Sequence, residues 1–242
     1  MCQHDGGRAV AVPGAAPGYR GGVPSELRIA FHRNLEEIDA KVAHLFVLVS
    51  EAVAAATECL LNGDRAMAEV LVEGDAHFDE LADEVEALAE RQLTLQTPMG
   101  ADLRYLLSIV RMVPELERSA DLAEHIAARA AGGLTGMLTP RLRGLIEQMG
   151  RVAVKMWRDA TEAFGDRDPD AAARLFEADE ELDTLHNYLT AELVSGAVGV
   201  SVALEMALVG RFYERLGDHA EHVTRRVRFL AGELGSMPRT GR

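Results

Sequence analysis

The stretch ERSADLAEH at residues 117–125 recurs later in the chain as ERLGDHAEH at residues 214–222. Both copies lie in segments whose apolar residues recur at three- and four-residue steps, the spacing of one face of an α-helix. A second motif, DxxxD, precedes each copy, at 75–79 and at 179–183. An ordered set of motifs that occurs twice indicates an internal repeat. We therefore expect two similar helical halves.

Composition and punctuation favour helices along the whole chain. Of the 242 residues, 48% are hydrophobic but only 5% are aromatic, which favours helix over sheet. Capping side chains precede proline at Thr97-Pro98, Thr139-Pro140 and Asp168-Pro169, a pattern typical of helix starts, and Asp64 is placed to cap another helix. The predicted fold class is all-α: six long helices forming two tandem three-helix bundles related by the internal repeat.

The domain boundaries follow from where the helical pattern starts and stops. Residues 1–24 carry scattered Gly and Pro without apolar periodicity, so we expect a disordered N-terminal extension. Residues 25–135 are predicted to form the first bundle and residues 136–235 the second. Residues 236–242 are expected to be a disordered tail.

The charge balance limits the classes of partner. Lys and Arg total 25 against 39 Asp and Glu, giving a net charge of −14, and such a field repels nucleic-acid backbones and anionic lipids. We expect cations and basic protein surfaces as partners, and no nucleic acid. The two cysteines, Cys2 and Cys59, predict neither a disulfide framework nor a zinc site, and they fit a reducing cytoplasm. No stretch is expected to span a membrane, which takes about 18 uncharged apolar residues.

The acidic motifs are the candidate functional residues. Spacing of four places Glu117 with Asp121, and Glu214 with Asp218, on one helical face. The acids of the two DxxxD motifs lie in segments, 66–90 and 175–210, that contain no Lys or Arg. We therefore expect the duplicated acidic rows to be uncompensated by charges on their own helices. A cation would remove the resulting repulsion, and carboxylates with occasional imidazole suit iron, manganese, magnesium or zinc. If the middle and last helices of each half pack side by side, their acidic rows could converge on one ion or cluster.

Other interpretations of these residues stay open. Acidic rows on long helices are commonly solvated faces that bind nothing. His125 and His222 follow an Asp by one turn, so each is placed either to hydrogen-bond that Asp or to add a nitrogen ligand to a metal. No nucleophile, phosphate-binding loop or ExxH di-iron pattern is recognisable, so we expect a protein that is not an enzyme.

Several motifs together carry a resemblance to a known family. The run TPMGADLR at 97–104 followed by ERSAD at 117–121, and the second copy ERLGDHA at 214–220, resemble the signature of the PhoU family of phosphate-uptake regulators. The resemblance covers roughly residues 26–234. It implies two tandem three-helix bundles that act in the bacterial cytoplasm without catalysis.

The resemblance also implies partners and ligands. PhoU-like proteins couple the nucleotide-binding subunit of the phosphate-specific ABC transporter to a membrane sensor histidine kinase and hold the phosphate-starvation response off when phosphate is plentiful. Membrane association would then come only through these partners, and a homodimer is expected. Some members hold metal clusters on paired E/D-x-x-x-D motifs. The ligands implied here are Asp75, Asp79, Glu117 and Asp121 in one half and Asp179, Asp183, Glu214 and Asp218 in the other, with His125 and His222 as additional ligands.

Two further functions compete with a signalling adaptor. One is a metal-dependent enzyme or metal-storage bundle that uses the carboxylate rows. The other is a scaffold whose acids serve only to keep it in solution.

Overall fold

A computed structural model describes residues 25–73 and 75–231. All of the regular elements in this part of the chain are helices: α1 Ser25–Asn62, α2 Arg65–Glu73, α3 Asp75–Gln96, α4 Ala101–Ala131, a 3-10 turn Leu134–Met137, α5 Pro140–Asp166, α6 Ala171–Val194 and α7 Val200–Leu230. The all-α prediction is confirmed, with the predicted second helix divided into α2 and α3. The predicted extension 1–24 and tail 236–242 lie outside the described residues.

The helix starts follow the sequence signals only in part. Asp64 accepts from the backbone N–H of Met67 at 3.0 Å, and Thr139 accepts from Leu142 N–H at 3.3 Å, so both caps form as predicted. The start predicted at Thr97-Pro98 is wrong. Thr97 adopts a φ of 44°, and α4 begins only at Ala101, after Gly100. The start predicted at Asp168-Pro169 is also too early, because α6 begins at Ala171.

Helix α1 is the central element of the core. Its apolar stripe, which includes Ile38, Val42, Leu45 and Val49, is fully buried, and it packs on α3, α4 and α5. The expectation that no stretch is apolar enough for a membrane span is wrong on composition, since the part of α1 from Arg28 to Asn62 has the length and mean hydropathy of one, 1.6 in its most apolar window. Half of that window is buried inside the protein, so packing within the bundle accounts for its apolar character.

The two bundles share one continuous core. Helix α1 of the first half packs on α5, and α4 packs on α7 of the second half. Across the first of these contacts Phe46 stacks on Phe164 with ring centroids 4.9 Å apart. Between α1 and α7, the buried hydroxyls of Thr57 and Tyr213 lie 2.9 Å apart. Gly150 of α5 faces Thr57, and a Cβ there would collide with the threonine methyl group.

The remaining helices form the outer layer and carry the acidic motifs. Helix α3 packs on α4, and α6 packs on α7. The middle and last helices of each half are therefore neighbours, which is the condition under which the predicted acidic rows meet.

Candidate functional site

The first acidic cluster lies between α3 and α4. Burial raises the pKa of Glu117 above its usual range, and the negative charges of Glu86, Asp79, Asp83 and Asp121 raise it further. The structure therefore brings Glu117 of α4 into the electrostatic range of Asp79 of α3, as expected if these two helices pack side by side. The predicted ligand at position 75 is the first residue of α3, and its side chain lies outside the described part of the structure.

The second acidic cluster lies between α6 and α7. Burial raises the pKa of Asp179 to about 7, and the charges of Asp218, Asp183 and Glu221 contribute to the shift. Asp179 reaches its position because α7 has no side chain at Gly217, where a Cβ would lie 2.6 Å from the Asp179 Oδ1 atom. This close approach brings Asp179 of α6 into the electrostatic range of Asp218 of α7, and Asp183 lies in the same range of Asp179.

Glu214 has a different environment from its counterpart Glu117. The Arg211 guanidinium donates to Glu214 from one turn earlier in α7, and His186 Nδ1 of α6 lies 4.0 Å from the same carboxylate oxygen. The hypothesis that the acids are uncompensated by their own helices is therefore wrong for Glu214. Arg211 stands three residues before it, a spacing that was readable in the sequence.

The two predicted histidines lie in unlike surroundings. The ring of His125 packs against Phe212 of α7, with centroids 5.5 Å apart. His222 joins His219 and Glu115 instead, with its Nδ1 3.9 Å from Glu115 Oε2. The contacts that the described structure shows for these two side chains are thus with Phe212 and with Glu115, neither of which belongs to an acidic cluster.

Glu115 and His219 are polar residues that the sequence analysis missed. Glu115 lies on α4 and hydrogen-bonds to His219 of α7, which is buried. These contacts hold the pKa of Glu115 well below its usual range, through His219 first and His222 second. The signal that was available is the replacement of Leu122 in the first repeat by His219 in the second.

Sequence comparison identifies the family to which this geometry belongs. The PhoU domain family matches residues 42–130 and 146–227, most of both halves. The chain belongs to the PhoU family. It is 35% identical over 215 residues to the phosphate-specific transport system accessory protein PhoU homolog 1 of Mycobacterium leprae, which covers 88% of this chain and 96% of that protein. The PhoU homolog 2 of Mycobacterium tuberculosis is also 35% identical, over 88% of this chain and 100% of its own length.

Solved PhoU structures share the fold. PhoU from Pseudomonas aeruginosa superposes with a TM-score of 0.77 at 26% identity, covering 83% of this chain and 98% of that one. The phosphate transport system regulatory protein PhoU from Streptococcus pneumoniae has a TM-score of 0.76 at 25% identity, covering 86% and 100%. The resemblance read from the motifs is thus confirmed at the level of family and fold.

The acidic clusters of this PhoU chain fit a hard cation by their chemistry. Both consist of carboxylates, several of them exposed, and burial first and mutual repulsion second raise the pKa of Glu117 and of Asp179. Carboxylate oxygens are the donors preferred by magnesium and manganese. Within the part of the chain that the structure describes, one group of three His, Cys, Asp or Glu residues has its ligand atoms all within 4.8 Å of one another. This group is Glu115, His219 and His222, and it lies outside the acidic clusters. A cation at either acidic cluster would have to draw the carboxylates closer together.

Proposed function

We propose that this PhoU chain is a non-enzymatic negative regulator of the phosphate-starvation response. In this role it acts in the cytoplasm, as a homodimer, and couples the nucleotide-binding subunit of a phosphate ABC transporter to a sensor histidine kinase. Family membership supports the proposal, as do the descriptions of the relatives as accessory and regulatory proteins of phosphate transport. The structural observation that carries it is the pair of acidic clusters, one in each half.

The acidic clusters suit binding to something of positive charge. The net charge of the chain is −14, and each cluster concentrates carboxylates that, after burial, contribute to the raised pKa of a central member. A basic protein surface or a cation would lower the free energy of such a cluster by offsetting its charge. Electrostatic complementarity of this kind mainly speeds association and selects partners.

We propose that the same clusters hold metal ions. Asp79, Glu117 and Asp121, with Asp75, would bind in the first half, and Asp179, Asp183 and Asp218, with Glu214, in the second. Carboxylate ligands suit magnesium, manganese or iron, and zinc where a histidine contributes. In the second half, His186 lies close enough to Glu214 to supply such a nitrogen.

The direct test is a pull-down of the transporter nucleotide-binding subunit and of the kinase by the full chain. The test variant combines Asp121→Asn with Asp218→Asn, which removes one carboxylate from each cluster. The matched control combines Glu58→Gln with Glu147→Gln, which removes the same amount of negative charge. Both of these acids are exposed and lie outside the clusters. We expect the wild type and the control to retain both partners and the test variant to lose them.

Elemental analysis of the same three proteins separates partner binding from metal binding. Bound metal that falls only in the Asp121/Asp218 variant supports the clusters as the metal sites. A wild-type chain that captures neither partner would refute the adaptor role. Turnover of a phosphoester that Glu214→Gln abolishes would instead support a metal-dependent enzyme.

A further inference from the structure

The contact between α4 and α7 is polar at one place and aromatic at the equivalent place. Extending the alignment of 117–125 with 214–222 backwards pairs Glu115 with Phe212, while His125 pairs with His222. In one contact Phe212 packs against His125. In the equivalent contact Glu115 faces His222 and also His219. The repeat alone therefore does not require the second contact to carry a carboxylate and two imidazoles.

The polar contact has the composition of a metal site. One ligand atom each from Glu115, His219 and His222 lie within 4.8 Å of one another. Glu115 Oε2 faces the Nδ1 atoms of both histidines. The other oxygen, Oε1, accepts from Arg118 at 3.2 Å, which holds the carboxylate in this orientation. Outer hydrogen bonds of this kind are a regular feature of metal-binding carboxylates.

Burial gives the contact an inner and an outer side. The side chain of His219 is 6% exposed and that of His222 is 47% exposed. An ion would therefore be reached from solvent past His222, and water would complete its coordination. The inner ligand, His219, contacts Glu115 through its Nδ1 atom, and its other ring nitrogen is buried without a hydrogen-bond partner among the described residues.

We propose that Glu115, His219 and His222 bind a divalent transition-metal ion of the Zn²⁺ type and that this ion joins α4 of the first half to α7 of the second. Two imidazole nitrogens and one carboxylate oxygen form a set that such ions bind with an open position. Ligands at about 2.0–2.1 Å from a tetrahedral ion lie about 3.3–3.4 Å from one another. The hydrogen-bonded atoms of Glu115 and His219 would therefore move apart to admit the ion, and the His222 Nδ1 atom, 3.9 Å from Glu115 Oε2, would move closer by roughly 0.5 Å. The site differs from the acidic clusters in its helices and in its nitrogen ligands.

Positively charged side chains near the site oppose the binding of a metal ion. Arg111 and Arg225 lie in the electrostatic range of Arg226, whose pKa is lowered by burial first and by these two neighbours next. Glu115 also lies in that range and acts in the opposite direction. The competing arrangement is therefore a metal-free ion pair in which Glu115 accepts from protonated histidines.

The test is a Co²⁺ titration of the full chain, read from the visible absorption that Co²⁺ shows in a low-coordinate site with nitrogen ligands. The background carries Asp79→Asn, Asp121→Asn, Asp183→Asn and Asp218→Asn, so that the result does not depend on the metal sites of the proposed function. Folding of every variant is checked by circular dichroism. We expect one Co²⁺ per chain.

Two variants and one control decide the outcome. His222→Asn removes an exposed ligand with little risk to folding. We expect this variant, and likewise Glu115→Gln, to weaken Co²⁺ binding by roughly tenfold or more. His125→Asn removes the repeat-equivalent histidine and should leave binding unchanged. Co²⁺ binding that is equal in the parent and the His222 variant, or a folded parent that shows no absorption, would overturn the proposal in favour of the metal-free ion pair.

Discussion

Replacing Thr57 by Val perturbs the buried hydrogen bond that joins α1 to α7. The Thr57 hydroxyl donates its single proton to the Val53 carbonyl oxygen at 2.7 Å. In the 2.9 Å contact with Tyr213, the tyrosine hydroxyl must therefore be the donor and Thr57 the acceptor. Tyr213 itself is fully buried, so its hydroxyl has no access to water when Thr57 is removed.

The direction of this hydrogen bond makes the two single substitutions unequal. Thr57→Val leaves the Tyr213 O–H as a buried donor without an acceptor, which costs about 1–3 kcal/mol of unfolding free energy. Tyr213→Phe leaves the Thr57 proton on Val53 and forfeits only the net hydrogen bond, about 0.5–1.5 kcal/mol. The double variant has no orphaned donor, so its cost should be about 1 kcal/mol less than the sum of the single costs.

Chemical denaturation of the four proteins at one pH and salt concentration measures these costs. Equal slopes of free energy against denaturant would show that the comparison is valid. The assigned direction is refuted if Tyr213→Phe costs more than Thr57→Val. Single costs that add to the double cost within about 0.3 kcal/mol would show that the two hydroxyls do not interact.

Two further predictions concern α6 and α7. Because the folded chain holds the Asp179 proton more tightly than the unfolded chain does, this group lowers stability as pH rises from about 4 to about 7. Asp179→Asn should therefore raise the unfolding free energy at pH 8 by about 1–2 kcal/mol, after allowance for solvent screening, and not at pH 4; an equal gain at both pH values would contradict this. Gly217→Ala should lower stability by about 1–3 kcal/mol in thermal melts, since the new Cβ would lie 2.6 Å from Asp179 and 2.8 Å from Leu182. The control Gly144→Ala meets nothing within 4 Å and should instead gain up to about 1 kcal/mol of helix propensity; a loss of similar size in both variants would rule out the clash as the cause.

Local patterns predicted the helices well because helical periodicity is a property of neighbouring residues. The buried stripe of α1 and the caps at Asp64 and Thr139 are as expected. The start at Thr97 fails for a reason the pattern does not contain. The chain takes a positive φ at Thr97 and again at Gly100 before α4 begins, and such turns depend on where the next helix must pack.

The candidate site was predictable only within each helix pair. The acids of α3 and α4, and those of α6 and α7, meet because consecutive helices are neighbours, and four-residue spacing gives their common face. Glu86 joins the first cluster from outside the motifs, and Glu221 joins the second from within the repeated stretch 214–222 but outside the four-residue row of Glu214 and Asp218. The repeat marks His219 as a polar replacement of Leu122, but its contact with Glu115 could not be predicted from spacing, because it depends on α4 packing against α7 across the two halves.

A partner that binds one repeat of this molecule also fixes the position of the other repeat. Phe46 stacks on Phe164 and Thr57 meets Tyr213 across the boundary between the repeats, in a core without a break. The acidic faces thus belong to one continuous helical core rather than to two domains joined by a flexible linker. Two proteins bound to these faces would be held at a fixed distance and orientation. The shared core would therefore determine how far apart the bound proteins lie.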